Sequence, residues 1–153
     1  MMEDRSQGET LELERNPEKP TILVVDDHPT QRQLFKLVAE TLGVEAKIVS
    51  SCEEALDALT EKKYDVVLMD WQMPDTDGLA CTALVRNQER DEKSRTPIVA
   101  VTAHVLPGDR EKCLAAGMDD YLGKPFTIAE LKETIYRWSL VSRNAKRSTS
   151  KDN

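Results

Sequence analysis

Two adjacent aspartates, Asp26 and Asp27, follow the apolar run Ile22 to Val25, and a third, Asp70, follows Val66 to Met69. Thr102 closes the run Ile98 to Val101, and Lys124 comes just after Tyr121 and Leu122. Each of these polar residues stands where a short, strand-like apolar run stops. In a parallel sheet with helical crossovers the carboxyl ends of the strands share one edge, so these residues would meet in one crevice. Three carboxylates crowded there repel one another, and protonation or a cation must relieve them. A hard divalent ion that prefers oxygen ligands, magnesium above all, suits Asp26, Asp27 and Asp70. A carboxylate beside such an ion can attack phosphorus while a lysine and a hydroxyl meet the equatorial oxygens. Asp70, Lys124 and Thr102 are the candidates for those parts.

The elements that would position them alternate along the chain. Ile22 to Val25 and Val66 to Met69 are uninterrupted apolar runs, as expected of strands covered on both faces. Between them, Gln31 to Leu42 predicts a helix with Leu34, Val38 and Leu42 inward and Gly43 at its stop. Val44, Ala46 and Ile48 then alternate with charged residues as in a half-buried strand. Ser51 to Glu54 has capping-box spacing and opens a helix with Ala55, Leu56 and Leu59 inward. A turn at Pro74 to Gly78 leads to a helix through about Gln88, and the charged stretch Glu89 to Arg95 is a loop closed by Pro97. Ile98 to Val101 predicts a fourth strand, Pro107 to Ala116 a helix ended by Gly117, and Tyr121-Leu122 a short fifth strand. Thr127 to Glu130 is a second capping box, with Ile128, Leu131, Ile135 and Trp138 on the buried face of the last helix. Strict alternation of five strands and five helices implies a doubly wound α/β sandwich.

Composition narrows the function classes. The 153 residues suit one domain with little to spare, so no attached output domain is expected. A net charge of −7 argues against nucleic acid as a main partner. No apolar run is long enough for membrane insertion, and the acidic start Met1-Met2-Glu3-Asp4 is unlike a signal peptide, so a cytoplasmic protein is expected. Residues 1–19 are acidic on balance and 142–153 basic; both lack apolar periodicity and are expected to be flexible tails around a domain over 20–141. Cys52, Cys81 and Cys113 are odd in number and lie within helix-like segments. They are expected to be buried small apolar residues rather than a zinc site or a disulfide frame.

The runs ILVVDD, VVLMDWQMPDTDG, PIVAVTA and DDYLGKPF resemble the signature segments of receiver domains from two-component response regulators, in order and at compatible spacing over about Thr21 to Val141. The resemblance implies the flavodoxin-like sheet order 2-1-3-4-5. It further implies that Asp70 is the phosphoacceptor, fed by a phosphohistidine. By the same resemblance Asp27 binds magnesium directly, Asp26 acts on the ion mainly through water, and Gln72 lends its backbone carbonyl. Thr102 and Lys124 would hold the phosphoryl oxygens, Lys124-Pro125 would match a step that is often cis, and Tyr121 would move with Thr102 as a switch. The implied donors are a sensor or hybrid histidine kinase or a histidine phosphotransfer domain. The implied outlets are such proteins, a second copy of this chain, or a separate effector. Catalysis would extend only to the chain's own phosphorylation and dephosphorylation. The wording of the motifs is closer to hybrid-kinase receivers than to transcription factors.

Blander explanations exist for single residues. Asp26 and Asp27 could only cap a turn before Pro29, and Asp70, Asp75 and Asp77 could only be a solvated acidic loop. Tyr121 could be plain packing. His28 is expected only to line the mouth, and His104, two residues past Thr102, to be a surface residue near it. Among rival classes, a magnesium-dependent aspartyl phosphatase of the haloacid dehalogenase type would need an acid where Gln72 stands. A flavodoxin would need a phosphate-cradling loop where Asp26-Asp27-His28-Pro29 would repel phosphate. A phosphorylation-independent adaptor with the receiver shape is the other alternative.

Overall fold

Five short strands carry the apolar runs, and parallel pairing brings their polar ends to a common edge. The computed structural model describes residues 19–73, 77–89, 95–103 and 106–151, with the backbone alone over 145–151. The strands are β1 (Thr21–Val25), β2 (Glu45–Val49), β3 (Val66–Asp70), β4 (Ile98–Thr102) and β5 (Asp120–Gly123), all parallel in the order β2-β1-β3-β4-β5. The helices are α1 (Pro29–Leu42), α2 (Cys52–Glu61), α3 (Gly78–Gln88), α4 (Asp109–Ala116) and α5 (Ile128–Lys151). The expected doubly wound sheet and its order are therefore present.

Alternation of side chains along β1, β3 and β4 divides the core in two. Leu23, Val25, Val67, Met69, Ile98 and Ala100 face α2, α3 and α4 through Ala55, Ala58, Val85 and Cys113. Ile22, Val24, Val66, Leu68, Val99 and Val101 face α1 and α5 through Phe35, Ala39, Leu131 and Ile135. The chain leaves β1 toward β2 and afterwards builds outward in the other direction, so right-handed crossovers place the helices on both faces. The reversal opens a crevice between the carboxyl ends of β1 and β3.

The faces of two helices differ from expectation. Leu34 is 50% exposed, and Phe35 and Ala39 are the buried residues of α1, with Val38 and Leu42 partly buried beside them. Ile128 is exposed, whereas Leu131 and Ile135 are buried as expected. The aromatic ring of Phe35 outweighs Leu34 in setting the roll of α1, because it reaches the opposing Phe126 at a centroid distance of 6.3 Å.

The last helix continues through Lys151, so residues 142–151 of the basic C-terminal segment are helical. Buried Ser142 and Arg143, which bonds Asp65 and the carbonyl of Lys19, tie that turn to the domain. The acidic segment over residues 1–18 lies outside the described residues. One expectation about cysteine is corrected: Cys52 and Cys81 form a disulfide with Cα atoms 5.7 Å apart, while Cys113 is a buried free thiol as expected. The first turns of α2 and α3 lie side by side on one sheet face, a proximity that a sequence separation of 29 does not display.

Candidate functional site

Asp26 follows β1 and is only 2% exposed; its Oδ1 accepts a 2.9 Å hydrogen bond from the backbone N–H of His28. The turn thus folds the two residues after it back over the end of the strand. The Asp26 carbonyl accepts from Arg32 of α1, which fixes the start of that helix against the same turn. Pro29 opens α1 at a position where its missing N–H costs nothing. Asp27 is partly buried, and its Oδ1 is buried without a hydrogen-bond partner.

Asp70 is the last residue of β3 and is 7% exposed. Its Oδ1 accepts a 3.2 Å bond from the backbone N–H of Gln72. Burial, and next the charge of Asp26, push its carboxyl up to about 6, against the opposing pull of the Gln72 N–H and Lys124. Gly78 closes the far side of this strand end. Its N–H bonds the carbonyl of Trp71 at 2.7 Å, and a Cβ at this position would lie 2.5 Å from the Asp70 carbonyl oxygen, so only glycine permits the approach. Asp77 caps α3 through a bond from the N–H of Ala80.

The other expected residues gather at the same edge. Thr102 is the buried last residue of β4, and its carbonyl accepts a 2.7 Å bond from the N–H of Lys124, just past β5. The Lys124-Pro125 peptide is cis, in keeping with the family step. Tyr121, on β5, is half-buried against the α3–α4 side of the core, where burial and then Asp109 push its hydroxyl pKa upward. Pro74 to Thr76 and His104 lie outside the described residues.

One participant is unexpected. The Nδ1 of His28 stands 3.1 Å from Asp27 Oδ1, 3.4 Å from Asp26 Oδ1 and 3.9 Å from Asp70 Oδ2. Its approach to Asp27 is close without being a hydrogen bond. Donor atoms of Asp26, Asp27, His28 and Asp70 all lie within 4.8 Å of one another. Three carboxylates with a buried unpaired oxygen and a raised Asp70 pKa form a donor set that fits a divalent cation.

The parallel sandwich with acids, a threonine and a lysine along its carboxyl edge defines the architecture of receiver proteins. The chain belongs to the response regulator receiver domain family, whose model matches residues 22–136. It is a signalling domain of the two-component phosphorelay class. It is 38% identical over 127 residues to the sensor protein GacS of Pseudomonas syringae pv. syringae, a match that spans 82% of this chain and 14% of that protein. Several other relatives are hybrid histidine kinases, and the chain likewise spans only a small part of them.

Among solved structures, the receiver domain of sensor histidine kinase PA1611 from Pseudomonas aeruginosa PAO1, which has magnesium in its active-site cleft, is 39% identical with a TM-score of 0.69. The match covers 78% of this chain and 97% of that one. A chain of the co-crystal structure of the Saccharomyces cerevisiae histidine phosphotransfer protein Ypd1 with the receiver domain of its downstream response regulator Ssk1 matches at 25% identity and a TM-score of 0.73, over 80% of this chain and 90% of that one. Among the described residues no helix is long and apolar enough to cross a membrane.

Proposed function

We propose that Asp70 accepts a phosphoryl group from a phosphohistidine of a sensor or hybrid histidine kinase or of a phosphotransfer domain, and that the modified receiver signals by a change in partner binding. The observation that carries this is the placing of Asp70: a buried carboxylate at the end of β3, one oxygen held by the Gln72 N–H and the other turned toward Asp26, Asp27 and His28. A carboxylate oxygen of Asp70 attacks phosphorus, the P–N bond to the donor imidazole breaks, and that nitrogen leaves with its electron pair and is protonated. The product is an aspartyl phosphate.

Asp26 and Asp27 would hold magnesium with Asp70 and the Gln72 carbonyl, and the ion, when bound, supplies positive charge for the phosphoryl oxygens. Lys124, whose charge already acts on Asp70, shares that task, and the Thr102 hydroxyl donates to a phosphoryl oxygen. Movement of Thr102 toward the phosphoryl group vacates space into which Tyr121 turns, which changes the α4–β5–α5 surface. The magnesium-bound receiver of PA1611 and the Ssk1–Ypd1 complex support the cation and the class of donor.

The test supplies phosphoramidate, a small donor with a P–N bond, and magnesium, and follows the intact mass. Gain of one hydroxylamine-labile phosphoryl group, abolished by Asp70→Asn and by a chelator, is the expected result. A folded protein that gains nothing from phosphoramidate or from a phosphorylated phosphotransfer domain would return the chain to the phosphorylation-independent adaptor class.

A further inference from the structure

We infer that His28 is a nitrogen ligand of the cation held by Asp26, Asp27 and Asp70, so that this site takes borderline transition ions such as Co2+ or Zn2+ in marked preference to magnesium. The inference deepens the cation site of the proposed function and rests on it.

The geometry is that of donors around one centre. Ligands about 2.1 Å from a first-row ion lie about 3 Å apart when adjacent and about 4.2 Å apart when opposite. The Nδ1 distances of 3.1, 3.4 and 3.9 Å to the three carboxylates fall between those limits. The Oδ1 of Asp27 is buried without a hydrogen-bond donor, and Nδ1 stands 3.1 Å from it, the spacing of adjacent ligands on one ion.

The backbone explains why the ring is there. His28 occupies the N-cap position of α1, yet its side chain makes no capping bond. Instead its own N–H is drawn to Asp26, and the ring turns over the cluster with most of its surface, 63%, in water. A ring so placed lies on the solvent side of the buried Asp26 and Asp70.

Donor chemistry sets the preference. Magnesium takes oxygen ligands and gains little from imidazole, whereas cobalt and zinc bind it well. The same four residues therefore serve both ions, but the imidazole contributes to one class alone.

The chain has only two histidines, which makes the test direct. Calorimetric titration with Mg2+, Co2+ and Zn2+ is done on the wild type, His28→Asn and His28→Ala, with imidazole 15N shifts recorded in a His104→Asn background. Asparagine is a good N-cap, so the first variant keeps α1 intact. The expected result is a Co2+ to Mg2+ affinity ratio that falls about tenfold or more in both variants, as for loss of a metal contact. A Zn2+-dependent coordination shift at Nδ1 of His28, lost in Asp27→Asn, accompanies it. An unchanged ratio, or a His28 ring released without a coordination shift, overturns the inference. Should Mg2+ bind and respond to Asp70→Asn while the ratio stays fixed, His28 alone is excluded. Should no ion bind, the cation site itself is wrong.

Discussion

The two edges of the sheet use aspartate in opposite ways. At the amino edge, Asp65 directly precedes β3 and Asp119 directly precedes β5. Asp65 accepts from the N–H of Thr21, the first residue of neighbouring β1, and donates its own N–H to the Thr21 carbonyl. Asp119 does the same with Ile98, the first residue of β4. Each carboxylate is also matched by guanidinium groups: Asp65 by Arg143, and Asp119 by Arg86 and Arg95 at 2.8 Å. At the carboxyl edge, Asp26, Asp27 and Asp70 converge; among the described residues no arginine pairs with their carboxylates, and Asp70 is held partly against its own charge. Satisfied aspartates fix the register at one end of the sheet. Unsatisfied ones store an electrostatic deficit at the other, where a cation and a phosphoryl group can discharge it.

Breaking the amino edge should have the largest effect. Arg86 bonds Glu89, Asp119 and the carbonyls of Thr96 and Gly117, so Arg86→Ala removes donors from partly buried acceptors and the charge partner of Glu89, while Asp119 keeps Arg95. Unfolding in urea should show a loss of about 3 kcal/mol.

The carboxyl edge should respond with the opposite sign. Because the folded pKa of Asp70 is raised from 3.8 to about 6, the native state binds more protons than the unfolded chain across that window. Wild-type stability therefore falls as pH rises through it, and above it the penalty is fully present. Asp70→Asn removes the charge, so the cation-free variant should be more stable than the wild type at pH 8, by at most about 3 kcal/mol. The gain should vanish below pH 4 and shrink when magnesium is added, since the ion stabilises the wild type. A variant equal to or less stable than wild type at pH 8 would contradict an uncompensated carboxyl edge.

The smallest effect belongs to Arg143. Its two bonds to Asp65 span the sheet edge and the last helix, but Asp65 keeps its backbone partner without them. Arg143→Ala should cost about 1 kcal/mol, with faster amide exchange from Ser142 onward as the more specific readout.

The sequence made the polar ends of the strands legible because burial on both faces forces continuous apolar runs that stop abruptly. The capping boxes were legible for a similar reason: their partners are three residues apart. Thr127 and Glu130 bond each other's backbone as predicted. At the other box the N–H of Glu54 bonds Ser51, while its carboxylate reaches back to Ser50, which holds the Glu54 pKa below its usual range. What stayed hidden depends on distant partners or on rotamers. The disulfide joins two helix starts that only the sheet brings together, and the length of α5 depends on an aspartate 78 residues earlier. The placement of His28 follows from how its ring turns, which spacing does not encode.

That length of α5 has a mechanical consequence. Its 24 residues make a rod of about 36 Å, held to Asp120 on β5 through Arg137 and Trp138 and to Asp65 before β3 through Arg143. The last two turns, about 12 Å, extend beyond Arg143, the last tether among the described side chains. A tilt of about ten degrees at the tethers sweeps the tip through about 2 Å, a lever arm that magnifies small motions of β5 relative to β3.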